Sequence, residues 1–489
     1  MLPVASELSW GFKNTKALYR AAQNSEPAVS GLTVTRLAPG EGRVELDWAD
    51  EEAAARPSGL AYSAEIYKDG ASTEPDTIPL EGTSGTIAAE GLENGTDYRI
   101  RIVAVNKATG ERVAESFERL VRPGHVPGTV INYIHPNDYT YGFSGRSPAS
   151  PSIVRLPDRT LLASHDVYWG NEGQNLTILF RSRDEGSTWS FVTYLYPCFW
   201  GKLFLHNGSL YMLATSTEYG ALLIGRSDDG GETWSKPTVL IEGGSREAGG
   251  PHKAPMPVTL HNGRLWTAVE YGSWKLGGHA AGVVSAPADA DLLDPASWTV
   301  APFLPYDTNW PGTISGGRPS VLEGNMVVTP DGKLVNVLRY NTKGGTPEYG
   351  VAIMLNKDAD RPEAPLAFGK VIRFEGNNSK FSIYYDPVSG KYWSLVNRVT
   401  SPNVSQRNIL TLVSSPDLEN WKIERDILDY EHNGWPEDNT KVGFQYVDWI
   451  FDGDDLLFVS RTAINGAYNY HNANHLTFHR IEQFRGSFA

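Results

Sequence analysis

Ser182-Arg183-Asp184-Glu185-Gly186-Ser187-Thr188-Trp189 and Ser227-Asp228-Asp229-Gly230-Gly231-Glu232-Thr233-Trp234 follow one pattern, S-x-D-x-G-x-T-W, with their aspartates 45 positions apart. Each element of the pattern has a local job. The aspartate can close a turn on backbone N–H groups, the glycine supplies a positive φ, and the tryptophan wedges the hairpin against a neighbouring layer. A degenerate copy, SSPDLENW, lies at 414–421. Between and beyond these turns the chain repeats a turn-then-strand unit: LPDRTLLASHDVY (156–168), HNGSLYMLATSTEYG (206–220), HNGRLWTAVEYG (261–272), TPDGKLVNVLRYN (329–341), DPVSGKYWSLVNRVT (386–400) and FDGDDLLFVSRTA (451–463). Six units at roughly 50–70 residue spacing predict an all-β chain built as a β-propeller over 128–489. Gly and Pro interrupt every long window, which argues against helices.

Ahead of the repeats, residues 29–122 carry short alternating strands separated by turns, predicting a small β-sandwich after an N-terminal extension, 1–28. None of the candidate site residues lies there, so the sandwich is expected to be a dispensable spacer and 128–489 to fold alone. The segment GLENGTDYRIRIVAVN resembles the corner and following strand of a fibronectin type III module, and VRPGHVPG reads as the linker.

Composition narrows the partners. The chain has 489 residues and a formal net charge of −14, which opposes general binding to nucleic acid or anionic membranes. An acidic ligand therefore needs a local basic pocket. With one cysteine, Cys198, no internal disulfide and no cysteine-based zinc cluster is possible. No metal-ligand spacing such as H-E-x-x-H occurs. The first residues lack the apolar core of a signal peptide, and a secreted or extracytoplasmic location is the expectation, with the signal absent from this sequence. A monomer is expected.

Topology says where the chemistry sits. In a four-stranded meander the one-to-two and three-to-four turns share a face, so the other face is built by the two-to-three loops and the crossings between blades. Those segments gather His165, Trp169, Trp200, Lys202, Tyr219, His252, Lys253, Tyr271, His279, Arg318, Arg339, Lys380, Arg398, Gln445 and Arg461, a basic and aromatic bowl. Loops on a rigid scaffold are the usual place for a site.

Several stretches, ASHD (163–166), FWGKLFLHNGSLYMLATSTEYG (199–220), GGPHKAPMPVTLHNGRLW (249–266), DADLLDPASW (289–298) and KFSIYYDPVSGKYWSLVNR (380–398), resemble the propeller family of ulvan lyases and rhamnosyl-glucuronate lyases, whose fold related α-L-rhamnosidases share. The S-x-D-x-G-x-T-W boxes resemble those of sialidase-type propellers. Strict sialidases match less well, because Arg146 precedes SPASPS where they carry Arg-Ile-Pro. The resemblance implies seven blades against the six units read here, and a structural calcium ion in the channel. It implies cleavage of an acidic, uronate-containing polysaccharide by β-elimination, with the histidines of SHD and PHK favoured.

Elimination needs a neutralised carboxylate, a base and an acid. His165, His252 and Tyr219 are the candidates for proton transfer. Trp200, Lys253, Arg318, Arg339, Lys380, Arg398, Gln445 and Arg461 are the candidates for binding substrate, with Arg318 and Arg461 first for the carboxylate. His165 also reads as a turn histidine bonded to Asp166, and the motif of Tyr219 recurs at Tyr271 and Tyr349, which favours architecture. An exo-glycoside hydrolase of the α-L-rhamnosidase or sialidase type is the alternative, drawing two carboxyls from Asp166, Glu218, Glu270 and Glu348. A non-catalytic glycan-binding propeller, stacking sugars on Trp200, Trp274 and Trp310, is the third reading.

Overall fold

The computed structural model describes residues 8–23, 30–71, 74–169, 173–434 and 438–486, so the expected 1–28 extension lies partly outside the described residues. Six antiparallel meanders follow one another. Blade 1 comprises Ser147–Arg155, Leu161–Tyr168, Leu176–Ser182 and Ser190–Leu195; blade 2 comprises Phe199–His206, Ser209–Thr215, Leu222–Ser227 and Thr238–Ile241. In blade 3 the inner strand is split into Gly250–His252 and Thr259–His261, both pairing with Arg264–Ser273, then Gly278–Pro287 and Thr299–Val300. Blade 4 runs through Ser320–Val328, Leu334–Asn341, Val351–Lys357 and Ala367–Arg373, and blade 5 through Ile383–Asp386, Lys391–Asn397, Ile409–Ser415 and Lys422–Asp429. Blade 6 takes three strands from the C-terminal end, Gly443–Asp452, Asp455–Ala463 and His475–Ile481, and its fourth, Thr129–Tyr133, from the start of the propeller.

That last pairing closes the ring, since the inner strand of blade 1 packs against those of blades 2 and 6. Thr129–Tyr133 and the C-terminal strand His475–Ile481 are both used in this closure, and the described residues form no blade beyond these six. The closing strand covers the edge that His475–Ile481 would otherwise expose, and each blade keeps only a short outer edge. The inner strands of blades 1 and 4 are buried almost throughout, while the fourth strands of blades 2 and 5 are largely half-exposed.

The boxes form as their sequence dictates. Asp184 accepts from Thr188 N at 2.9 Å and Trp189 Nε1 donates to Gly186 O at 3.1 Å; Asp229 and Trp234 repeat this at 2.9 and 3.0 Å. Gly186 has φ +92°, and a Cβ there would lie 2.1 Å from the Phe478 ring of blade 6. Arg155, before the one-to-two turn of blade 1, pairs with Glu185 of the box at 2.8 Å. Those turns therefore share a face, and the bowl lies opposite.

Residues 32–121 form two packed sheets. One holds Leu32–Gly40, Arg43–Asp50 and Ser84–Glu90; the other holds Asp76–Leu80, Leu60–Lys68, Tyr98–Asn106, Arg112–Glu115 and Arg119–Val121. Helix Thr15–Gln23 and the segment before it lie on blades 1 and 2, with Leu18 in the core of blade 1 and Leu8 and Trp10 in that between blades 1 and 2.

Candidate active site

The site begins with a backbone device. In blades 1, 2, 4 and 6 the inner strand carries a bulge, and in each a non-glycine residue takes a left-handed φ: Ser150 (43°), Trp200 (55°), Glu323 (54°) and Tyr446 (54°). A bulge adds one residue to a strand and re-aims its side chain, and strain of this sort collects at functional sites. Carboxylates on second strands cap these bulges. Asp166 accepts from Trp200 N at 2.8 Å, and Glu270 accepts from Gly324 N at 3.1 Å.

Glu323 and Tyr446 meet across the axis. Tyr446 Oη donates to Glu323 Oε1 at 2.9 Å, and Arg339 Nη1 donates to Glu323 Oε2 at 2.8 Å and to Tyr446 Oη at 3.1 Å. Two more guanidinium groups lie against the Tyr446 ring, Arg461 at 5.2 Å and Arg407 at 5.5 Å. Arg461 also covers the Tyr168 ring at 5.0 Å and donates to His471 O. Gln445 holds Arg407, accepting from its Nη1 while its own Nε2 donates to Tyr470 O.

All three arginines are buried, and each leaves its Nε without a partner. Burial pulls Arg461 down to about 10 and lowers Arg407. Burial alone would raise the Glu323 carboxyl, but Arg339, with His252 adding to it, holds it below the usual range. Three buried cations around one carboxylate leave an excess of positive charge. Asp166, raised by burial to about 7, offsets it only in part. Uncompensated buried charge is costly, and a bound anion relieves it. Planar forks suit a carboxylate.

Blades 2 and 3 supply the facing wall. His252 Nδ1 lies 3.1 Å from Glu270 Oε2, and its ring sits 4.5 Å from Trp200 and 4.3 Å from His279. Among the described residues its Nε2 has no hydrogen-bond partner. Burial first, then His252 and Arg339, push His279 down to about 2, so it is neutral. Tyr219 is buried behind the two histidines, accepts from Trp274 N at 3.3 Å, and is raised by burial to about 12. That position is a wall. Trp274, 48% exposed, forms the rim.

The other sequence candidates fall elsewhere. His165 is fully buried and stacked 5.6 Å from Phe180, with Nδ1 at 2.9 Å from Asp166 O and Nε2 at 2.9 Å from Asn132. Both ring nitrogens are used, which is the geometry of a structural histidine. Arg398 pairs with Asp426 within blade 5, and Arg318 is exposed just ahead of the inner strand of blade 4. Lys380 and Lys253 are buried below the bowl. Lys380 donates to Val447 O at 2.7 Å and Lys253 to Thr267 Oγ1 at 3.1 Å.

With Lys202, which pairs with Asp448 at 2.6 Å, these lysines interact electrostatically at the axis. Three ammonium groups and one aspartate do not suit a calcium ion, which takes six to eight oxygen ligands. Among the described residues no cluster of metal-ligating side chains occurs. Sequence reasoning missed Glu323, Tyr446 and Arg407.

Buried neutral histidines predict acid sensitivity. Burial pulls His165 to about 4, and His475 and His479 to about 3. The unfolded chain therefore binds protons below pH about 6.5 that the fold excludes, so stability is full above that value and falls as the pH drops toward 4. Asp166 acts with the opposite sign, its contribution fading as pH rises from about 4 through 7, but it is one group against three. The urea midpoint is expected to fall between pH 6.5 and 4.5, each histidine giving at most about 1.4 kcal/mol per pH unit. A flat profile would contradict this account.

No protein-family model matches the chain, and no curated protein matches it in sequence. Solved structures similar to it include an α-L-arabinanase of Penicillium chrysogenum complexed with arabinobiose (15% identity, 73% of this chain and 98% of that one, TM-score 0.46). The leech intramolecular trans-sialidase aligns at 11% identity over 98% of this chain and 94% of that one, TM-score 0.48. A sialidase of Streptococcus pneumoniae aligns at 10% identity over 97% and 98%, TM-score 0.45.

Proposed function

We propose that the protein is a glycosidase that releases a carboxylate-bearing sugar, with Tyr446 as nucleophile, Glu323 as its base and His252 as proton donor. The contact of Tyr446 Oη with both Glu323 and Arg339, inside the three-arginine clasp, carries this reading. Arg339, Arg407 and Arg461 hold the sugar carboxylate. A carboxylate nucleophile would be repelled by such a substrate, whereas a neutral phenol is not. Tyrosine serves as nucleophile in some glycosidases and is activated by an adjacent base.

As Tyr446 Oη bonds to the anomeric carbon its proton passes to Glu323, the glycosidic C–O bond breaks, and the leaving oxygen takes the proton on His252 Nε2. Water, deprotonated by His252, then cleaves the glycosyl–tyrosine bond, and Glu323 returns the proton to Tyr446. Glu270 orients His252 throughout. α-L-Rhamnose has no carboxylate and gives the clasp no work.

Elimination at a uronate is the second reading, favoured by the same clasp and by the His252–Glu270 pair acting as base. Incubation with oligosaccharides ending in sialate or uronate separates the two. Release of the acidic sugar without new absorbance near 235 nm supports hydrolysis; a 235 nm product overturns it in favour of the lyase. Arg407→Ala is expected to cost about 2–4 kcal/mol in kcat/KM on an acidic glycoside. Its neutral analogue should lose far less, and equal losses on both would remove the clasp.

A further inference from the structure

Outside the clasp, an aromatic ladder with an arginine inside it crosses the bowl-side surface from blade 6 to the sandwich. Tyr468 is 54% exposed and lies 4.4 Å from the Trp169 ring. The Arg146 guanidinium sits 4.5 Å from Trp169 and 4.6 Å from Tyr139, which is 69% exposed, and Nη1 donates to Tyr139 Oη at 2.8 Å. Among the described residues no carboxylate pairs with Arg146. Beyond Tyr139 opens a cavity of about 560 Å³ lined by Tyr19, Phe117, Tyr139 and Phe143 together with the Glu118 carboxylate, within the size of ligand pockets.

The ladder is continuous with the site. Trp169 follows Tyr168, whose ring lies under Arg461, and Tyr468 belongs to the loop whose His471 accepts from Arg461. Monomeric proteins rarely expose such an array without a partner for it. Rings held at fixed spacing offer flat apolar faces with polar edges, and a half-exposed guanidinium between them offers a fork for an anionic group.

We propose that this ladder is an extended subsite for the glycan chain that continues beyond the sugar held in the clasp, with Trp169, Tyr468 and Tyr139 stacking sugar rings and Arg146 pairing with an acidic substituent on the chain. The inference rests on the reading of the bowl as a site for an acidic sugar. It gives the sandwich a task, since its Phe117, with Tyr19 of the helix Thr15–Gln23, forms the far end of the track.

Binding by the inactive Tyr446→Phe protein to polygalacturonate, heparin and polysialate, each offered as a long chain and as a disaccharide, with dextran as the neutral chain, tests this. One acidic glycan should bind about tenfold more tightly as a chain than as its disaccharide. Adding Trp169→Ala and Tyr139→Ala should abolish that gain and leave disaccharide binding unchanged. Arg146→Gln should shrink the chain-length gain of the acidic glycan while the clasp keeps its own preference for the acidic disaccharide. The subsite is overturned if no chain-length gain exists, if the double substitution keeps it, or if light scattering shows that the substitutions dissociate a homodimer covering the ladder. Failure of every acidic disaccharide to bind would instead sink the reading of the clasp.

Discussion

Tyr446→Phe is expected to lower kcat by about three orders of magnitude or more, with the fold and the affinity for an acidic sugar preserved. The substitution removes one oxygen. That oxygen donates to Glu323 at 2.9 Å and accepts from Arg339 at 3.1 Å, and in the proposed reaction it is the atom that bonds to the sugar. Loss of a nucleophile in an acyl-transfer enzyme costs on the order of 10⁶ in kcat, so about 10³ allows for a bypass by water. The ring remains, and with it the contacts to Arg461 at 5.2 Å and Arg407 at 5.5 Å. Glu323 keeps Arg339. Phenylalanine meets the φ of 54° at no more cost than tyrosine, so the bulge is not disturbed. Steady-state kinetics on a chromogenic acidic glycoside, with the dissociation constant of the free sugar measured alongside, checks both halves. A kcat within tenfold of wild type would reduce Tyr446 to a wall of the pocket, and an equal fall in affinity would make it a binding group.

How far the sequence reached follows from the range of the interactions involved. The S-x-D-x-G-x-T-W turns are closed by contacts within four residues, so eight letters state them completely; even the degenerate copy closes, with Trp421 Nε1 donating to Leu418 O at 2.9 Å and Leu418 at φ 68° where the others have glycine. The division of turns between two faces follows from strand parity and was equally legible. Parity failed where bulges intervene. Gln445 was chosen as a binding residue, yet the bulge at Gln445/Asp448 turns its neighbour Tyr446 into the bowl and leaves Gln445 to position Arg407. Glu323 stands at the same kind of site and carried no motif. His165 and Asp166 do point to opposite sides of their strand, but it is Asp166 that faces the bulge of blade 2. Arg398 is a binding candidate from sequence and Arg407, in the same loop, is not; the pairing of Arg398 with Asp426, across the sheet, leaves no local signal. Long-range register, and not residue type, decided each of these.

Arg119→Met is expected to destabilise the protein by about 3–5 kcal/mol, because it strands a buried charge at the junction of sandwich and propeller. Arg119, on the last sandwich strand, is 1% exposed; Nε donates to Asp138 Oδ2 at 2.7 Å and Nη1 to Val34 O at 2.7 Å. Asp138 is 3% exposed and lies on the crossing from blade 6 to blade 1, where its other oxygen accepts from Thr140 N at 2.9 Å. Neighbouring contacts tie the same surfaces together. Leu37 N donates to Asn132 at 3.2 Å, Phe191 N to Asp47 at 3.2 Å, and Tyr133 of blade 6 belongs to the sandwich core. A propeller cut free at residue 128 would expose this apolar and charged seam, which argues against the independent folding expected from sequence. Asp138 also fixes the crossing that carries Tyr139, so the seam and the glycan track share a support. The double variant Arg119→Met/Asp138→Asn should recover much of the loss, since no orphan charge is then left inside. Urea midpoints at pH 7 measure both. A single variant within about 1 kcal/mol of wild type would show that water reaches Asp138 and that the remaining contacts join the two domains without this ion pair.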